Sequence, residues 1–224
     1  MGTDYRIIFS RRRSIGIVIR PDKEVVVRAP YGASTKVIEK FVSEKEEWIK
    51  KHITKYSDTI QLNSSKKYVD GEKYLFLGRE LTLRIRNSLF PSIKQIDNIL
   101  EAETDGKDGR IKMLIDRWYK TEAEEIFSEK LNEILIKHKE QDFSPSQLVV
   151  RTLKSRWGSC TSKGKITISS DLVKLDEKFI EYVIIHELCH LKHHNHGKDY
   201  YRLLEMLIPD YNAIRKELRK YSLS

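Results

Sequence analysis

Five consecutive residues, His186-Glu187-Leu188-Cys189-His190, lie inside a stretch that is otherwise almost wholly apolar, and nothing else in the chain restricts the fold so much. Asp176 offers an N-cap and Glu177 a first-turn acid, after which Phe179, Ile180, Val183, Ile184 and Leu188 occupy nearly every side of a predicted helix. A helix that is apolar all round is one that a fold buries. Two histidines and a glutamate on it are costly to dehydrate unless they have partners or a task. Four residues of helix advance about 6 Å and bring both imidazoles to one face, so both can reach one tetrahedral ion at about 2.0–2.1 Å. Glu187, one residue on from the first histidine, falls beside the open position of such a site. There it can take a proton from a metal-activated water and hand it to the leaving group. The pattern predicts a zinc-dependent hydrolase with His186 and His190 as ligands and Glu187 as general base.

Such a site needs a third ligand, and His193, His194, His196 and Glu205 are the candidates. On a continued helix His193 would sit about 10 Å along the axis from His186, too far to share an ion with it. Asn195-His196-Gly197 reads as a helix stop, because Asn and Gly tolerate the left-handed conformation that turns a chain back. Such a turn can swing His196 toward the metal, ten residues after His186, the separation found in metzincins. The glycine of that pattern is replaced here by His193. Glu205 follows another logic, in which a glutamate from the next helix completes a two-His, one-Glu site. Both remain open from spacing, with His196 favoured by ligand type and reach.

The rest of the chain reads as α+β. Three apolar runs, Tyr5–Phe9, Ile15–Ile19 and Val25–Ala29, with a turn at Pro21–Glu24, predict a small antiparallel sheet. One helix follows, capped by Ser34 or Thr35, with Val37, Ile38, Phe41, Trp48, Ile49 and Ile53 at helical spacing. Strands return over 67–86, with turns at Asp70-Gly71 and Leu77-Gly78-Arg79. The polar run Glu101–Gly109 predicts an exposed loop and a domain boundary, giving a strand-rich region 1–108 and a catalytic region 109–224. The latter opens with a long helix near 111–138. Strands at 148–153 and 165–169 precede the His-Glu helix. Beyond it come a helix over Lys198–Leu207, a break at Pro209, and a last helix from about Asp210 to Tyr221.

Arg156-Trp157-Gly158-Ser159-Cys160 is the second segment of interest. A glycine in a strand permits close backbone approach, an edge strand can pair with an extended peptide, and Arg156 or Ser159 can stabilise an oxyanion. Equally, Trp157 can be core and Gly158 a bulge.

Composition narrows the function classes. No run approaches the roughly 18 apolar residues of a membrane span, and the arginines of the N-terminus follow its apolar patch, unlike a secretory signal. Two cysteines, Cys160 and Cys189, give no disulfide framework, and a soluble cytoplasmic protein is expected. The net charge of +9 is concentrated at the ends: 13 Lys and Arg against 7 Asp and Glu in residues 1–56, 15 against 17 in 57–144, and 14 against 9 in 145–224. That bias permits contact with nucleic acid or nucleotides as well as peptides, though most such charge simply solvates a face.

The chain resembles the YgjP-like metal-dependent hydrolases, relatives of the SprT-like and Wss1-like zinc peptidases. The resemblance runs through Arg11–Ile15, Val25–Pro30, Phe41, Trp48-Ile49, Tyr74, Leu77–Glu80, Arg156–Cys160, His186–Leu191 and Asn195-His196. It implies a zincin-like C-terminal domain, zinc on His186, His190 and His196, and Glu187 as acid/base. The family pattern has Ser two residues after the Asn and Phe-Trp further on; Gly197-Lys-Asp-Tyr-Tyr201 stands there and keeps the turn and the packing. Relatives include peptidases that digest proteins attached to DNA, so a peptide or protein substrate is expected, Arg156, Trp157, Gly158 and Ser159 being the substrate-binding candidates. An alternative is a nucleoside triphosphate pyrophosphohydrolase using Arg156, Arg151 and Lys192, although no GxxxxGK[ST] loop is present. A second alternative is a non-enzymatic basic binding protein with structural zinc, against which the open coordination position and Glu187 argue.

Overall fold

The computed structural model describes residues 4–19, 24–57, 60–62 and 66–223. Its described residues form a mixed α+β fold with six helices and several small sheets. None of those helices is long and apolar enough to cross a membrane. The chain divides into two compact units, one of residues up to Gln61 with 220–222 and one of residues 62–219.

In the first unit, β1 (Arg6–Ser10), β2 (Gly16–Ile19) and β3 (Val25–Pro30) form a sheet in the order β1-β3-β2. β2 runs antiparallel to β3, but β1 runs parallel to it, so the sheet is mixed and not antiparallel as the sequence suggested. The physical reason lies in β3, whose Val25, Val26, Val27 and Ala29 are all buried. A strand apolar on both faces takes the centre, where both its edges are paired. The expected turn at Pro21–Glu24 lies, apart from Glu24, outside the described residues. The single helix expected after it is two, α1 (Thr35–Glu44) and α2 (Glu46–Ser57). Lys45 makes the break: its N–H closes a tight turn on Val42 O at 3.0 Å, while its carbonyl accepts from Ile49 at 2.8 Å and starts the next helix. Ile38, Val42 and Ile49 pack on Ile19, Val25, Val27 and Ala29, so the apolar periodicity runs on through the break and hides it. Ser34 stands at the N-cap without a side-chain capping bond. Ile60–Gln61 (β4) pairs in parallel with Tyr221–Ser222.

The second unit begins with a four-stranded sheet of β5 (Lys73–Phe76), β6 (Arg79–Asn87), β7 (Ser92–Ile96) and β8 (Ile99–Thr104), in the order β5-β6-β8-β7. β8 (Ile99–Thr104) takes in the first part, 101–104, of the stretch expected to be a loop. Its polar letters mislead because Glu101, only 5% exposed, is held by Arg86 at 3.0 Å and Lys94 at 3.5 Å. Only 105–109 connects, and residues 62–108, grouped by sequence with the N-terminal strands, share a compact unit with 109–219.

Helix α3 (Arg110–Lys137) buries Leu114, Ile115, Trp118, Phe127, Leu131 and Ile134 along one stripe. It packs against β7, β8, β9 (Gln147–Arg151), a 3-10 turn at Ser170–Lys174, and α4 (Glu177–Lys192). β10 (Gly158–Cys160) and β11 (Lys165–Ser169) complete a second sheet in the order β10-β11-β9, β10 being antiparallel and β9 parallel to β11. α5 (Lys198–Leu207) and α6 (Tyr211–Leu218) cover α4 from another side. α6 ends three residues before the predicted Tyr221, which belongs to the terminal strand.

The β5–β6 hairpin is tied to the start of α4. Leu77 and Gly78 both have positive φ, at 46° and 74°. Their N–H groups donate to Val173 O at 2.8 Å and Lys174 O at 3.2 Å. A Cβ on Gly78 would stand 3.3 Å from Asp176 Cα, at the N-cap of α4. Gly78→Ala should therefore destabilise the protein by about 1–2 kcal/mol, the cost of placing an L-residue in the left-handed region. Urea unfolding reads this as a lower midpoint, and an unchanged midpoint would contradict it.

Candidate metal centre

α4 is held in the heart of the second unit. Asp176 caps it, its carboxylate accepting from Lys178 N at 3.0 Å. Phe179, Ile180, Val183, Ile184, Ile185 and Leu188 are buried among α3, α5, α6, β10 and β11. With the helix so fixed, His186, Glu187 and His190 project from one side of a rigid element.

His196 reaches the same place by a route the sequence did not foresee. α4 stops at Lys192, and His193 is extended, φ −133°, its N–H bonded to Cys189 O at 2.9 Å. Gly197 has φ −85°, and neither it nor Asn195 is left-handed. The return is made by the five residues of irregular backbone, 193–197, ahead of α5. It brings His196 Nε2 to 3.3 Å from His186 Nε2, and one ring nitrogen from each of His186, His190 and His196 lies within 4.8 Å of the others. Two ligands of a tetrahedral zinc with arms of about 2.0–2.1 Å stand about 3.3–3.4 Å apart, so the first pair already has the spacing of a chelating edge.

The outer ring nitrogens are committed. His190 Nδ1 lies 3.1 Å from His193 O, which can only accept, so Nδ1 carries the proton and Nε2 offers its lone pair. Tyr200 Oη donates to His186 O at 3.1 Å and stands 2.6 Å from His186 Nδ1, which then donates to it. Both tautomers are thereby set for ligation through Nε2. Burial above all, then His190, His196 and Arg215, pushes the His186 pKa down to about 3, so the imidazole stays neutral. Burial, His190 and Arg215 lower that of His196 too. The donor set thus fits a divalent ion of the kind imidazole binds.

Glu187 is 4% exposed. Burial drives its pKa up to about 8, against the opposing pull of the Arg156 charge and of the Cys160 backbone N–H. Its place depends on Gly158, because a Cβ there would fall 2.6 Å from Glu187 Oε1 and 2.9 Å from Cγ. Gly158 pairs regularly with Ile168, so of the two sequence readings the structure shows close approach and no bulge. Trp157 is half-buried, and its carbonyl accepts from Ser169 N at 2.8 Å.

Beside Glu187 and His186 opens a cleft of about 300 Å³. Trp157, Gly158, Tyr182, Val183 and Leu218 form its walls, with three arginines, Arg156, Arg215 and Arg219. Ser159 does not line it, nor do Arg151 and Lys192 of the triphosphate alternative. Glu205 is exposed and outside the histidine cluster. Sequence reasoning missed Tyr200, which it credited with packing, and it missed Arg215 and Arg219. The one available signal for Tyr200 was its position in the first turn of the helix that follows His196.

A family model described as "YgjP-like, metallopeptidase domain" matches residues 13–221. No curated protein matches the chain. Among solved structures, the chain is similar to the metallopeptidase zymogen of Methanocaldococcus jannaschii jannalysin, at 23% identity over 41% of this chain and 92% of that one, TM-score 0.36. It is likewise similar to the metallopeptidase zymogen of Pyrococcus abyssi abylysin, at 23% identity over 41% and 90%, TM-score 0.37. Likenesses of that size establish neither the fold nor the function of this chain.

Tyr200→Phe keeps the ring and removes only the hydroxyl. It should weaken zinc affinity about 10- to 100-fold, as loss of an outer partner of a metal-binding histidine does. Competition with a chromogenic chelator measures this, and wild-type affinity in the variant would show that the hydroxyl does not orient His186.

Proposed function

This chain belongs to the YgjP-like family of metallopeptidase domains and is a metal-dependent hydrolase; from that premise we propose a zinc peptidase with ligands His186, His190 and His196 and Glu187 as general base. Membership sets aside the non-enzymatic binding protein. The finer reading extends to architecture, with the second unit organised as a zincin around α4.

One observation carries the proposal: three imidazoles converge beside a buried carboxyl that nothing but function requires there. Bound by them, zinc supplies Lewis acidity, which polarises a carbonyl and lowers the pKa of a water. Glu187 takes the proton of the attacking water at its carboxylate and delivers it to the departing amine nitrogen. A pKa pushed toward neutrality by burial suits a group that must both accept and return a proton. Gly158 leaves room for that carboxylate, and Arg156 favours its ionised form. Tyr200 and the His193 carbonyl keep the imidazoles of His186 and His190 in one tautomer, so that those two need no reorganisation during turnover. Trp157 and Gly158 line the cleft in which a peptide would lie, and Arg156, which lines it too, would face a developing oxyanion. Ser159, outside the cleft lining, has no such role in this scheme.

Glu187→Gln preserves shape and removes the base. The variant should hold about one zinc per chain by elemental analysis and lose roughly 100- to 10,000-fold in peptide hydrolysis, the usual worth of a general base. Full activity in the zinc-loaded variant would refute the mechanism. Gly158→Ala should act through the same group, displacing Glu187 and lowering kcat more than tenfold while zinc content stays. Wild-type kcat in that variant would show that the carboxylate position is immaterial.

A further inference from the structure

The cleft beside Glu187 carries more positive charge than the chemistry uses. Arg156, Arg215 and Arg219 line it, against the single carboxyl of Glu187. Among the described residues, none of the three makes an ion pair within 4.0 Å. Arg215 is half-buried, which makes a guanidinium without a counter-charge costly. The end of α6 favours cations, and this accounts for arginines near residue 218 in general. It does not account for their convergence with Arg156, which comes from the segment before β10, on one cleft. Trp157, Tyr182, Val183 and Leu218 supply apolar walls that lower the local dielectric and strengthen any charge pair formed inside. A guanidinium fork matches a carboxylate in bidentate geometry.

We propose that this cleft recognises a carboxylate of the substrate within a residue or two of the cleaved bond, with Arg215 as its principal anchor and Arg219 and Arg156 at its rim. The proposal rests on the peptidase reading and adds the class of substrate: acidic peptides. The carboxylate can be an Asp or Glu side chain or a chain end, and the same chemistry serves both.

The test uses zinc-loaded full-length protein and quenched peptides of one length, scanned by position. One set is blocked at both ends with Glu at each position in turn, a second is blocked with Gln instead, and a third has Gln and a free C-terminus. One carboxylate set should be cleaved with kcat/KM about tenfold above the blocked Gln set, the worth of one charge-assisted contact. The set that wins identifies side chain or chain end. Arg215→Gln should bring this ratio close to one, and Arg219→Gln should lower it. Arg202→Ala, which removes an arginine 80% exposed and paired with Asp199, should leave the ratio unchanged. A wild-type ratio near one overturns the proposal, as does a ratio that survives both cleft substitutions.

If no peptide is cleaved, the peptidase reading fails, and calorimetric binding of the same peptides to zinc-loaded Glu187→Gln judges the cleft separately. About tenfold tighter binding of a carboxylate peptide than of its blocked Gln partner supports the anchor. Equal binding, no binding, or tighter binding of inorganic triphosphate than of either carboxylate peptide overturns it.

Discussion

The burial of Glu187, and the half-burial of His186 and His190, on a largely apolar helix is the constraint to which the rest of the second unit answers. A helix as apolar as α4 is stable only when covered, and α3, α5, α6, β10 and β11 cover it. Covering it dehydrates three polar side chains, each of which must then find a partner. The surrounding elements supply those partners: a carbonyl at His193, a hydroxyl at Tyr200, a backbone N–H at Cys160 and a distant charge at Arg156. Packing and chemistry are therefore one problem here, since the interactions that make the helix burial tolerable also set the ligand tautomers and the pKa of the carboxyl.

Each element contributes a different part of the site. α4 provides two ligands and the carboxylate from adjacent turns. β10 provides an absence, the missing Cβ of Gly158, and α5 provides the Tyr200 hydroxyl. Of the three ligand histidines, His196 alone comes from irregular backbone, and it is also the most exposed. Further out, the Leu77-Gly78 turn and α3 fix where α4 begins and what it rests against. The cleft arginines act on the site only through their charge, Arg156 on Glu187 and Arg215 on His186 and His196, and they also bear on what enters.

What could be read from the sequence was whatever leaves a local, periodic trace. The extent of α3, the start of α4 at the Asp176 cap and the Leu77-Gly78 turn follow from spacing and from residues with one conformational preference. The proximity of His196 to His186 was legible from the ten-residue separation, but the path was not, since helix stops are inferred from left-handed residues and this one uses none. β8 was illegible because burying Glu101 depends on Arg86 and Lys94, partners distant in sequence. The break at Lys45 was illegible for the opposite reason: the apolar pattern runs on unperturbed across it. Parallel pairing of β1 with β3 depends on which strand takes the centre, a competition that no single segment reveals. Tyr200 and the arginines of α6 escaped notice because side chains converging from separate helices leave no spacing to count.

The central claim is that three imidazoles, with no sulfur, hold the ion. X-ray absorption at the zinc K-edge of the reconstituted protein tests it most directly. The account predicts a first shell of three nitrogen ligands at about 2.0–2.1 Å, completed by oxygen, with imidazole outer-shell scattering. A sulfur at about 2.3 Å, which would enlist Cys160 or Cys189, would contradict it, as would a shell with fewer than three imidazoles.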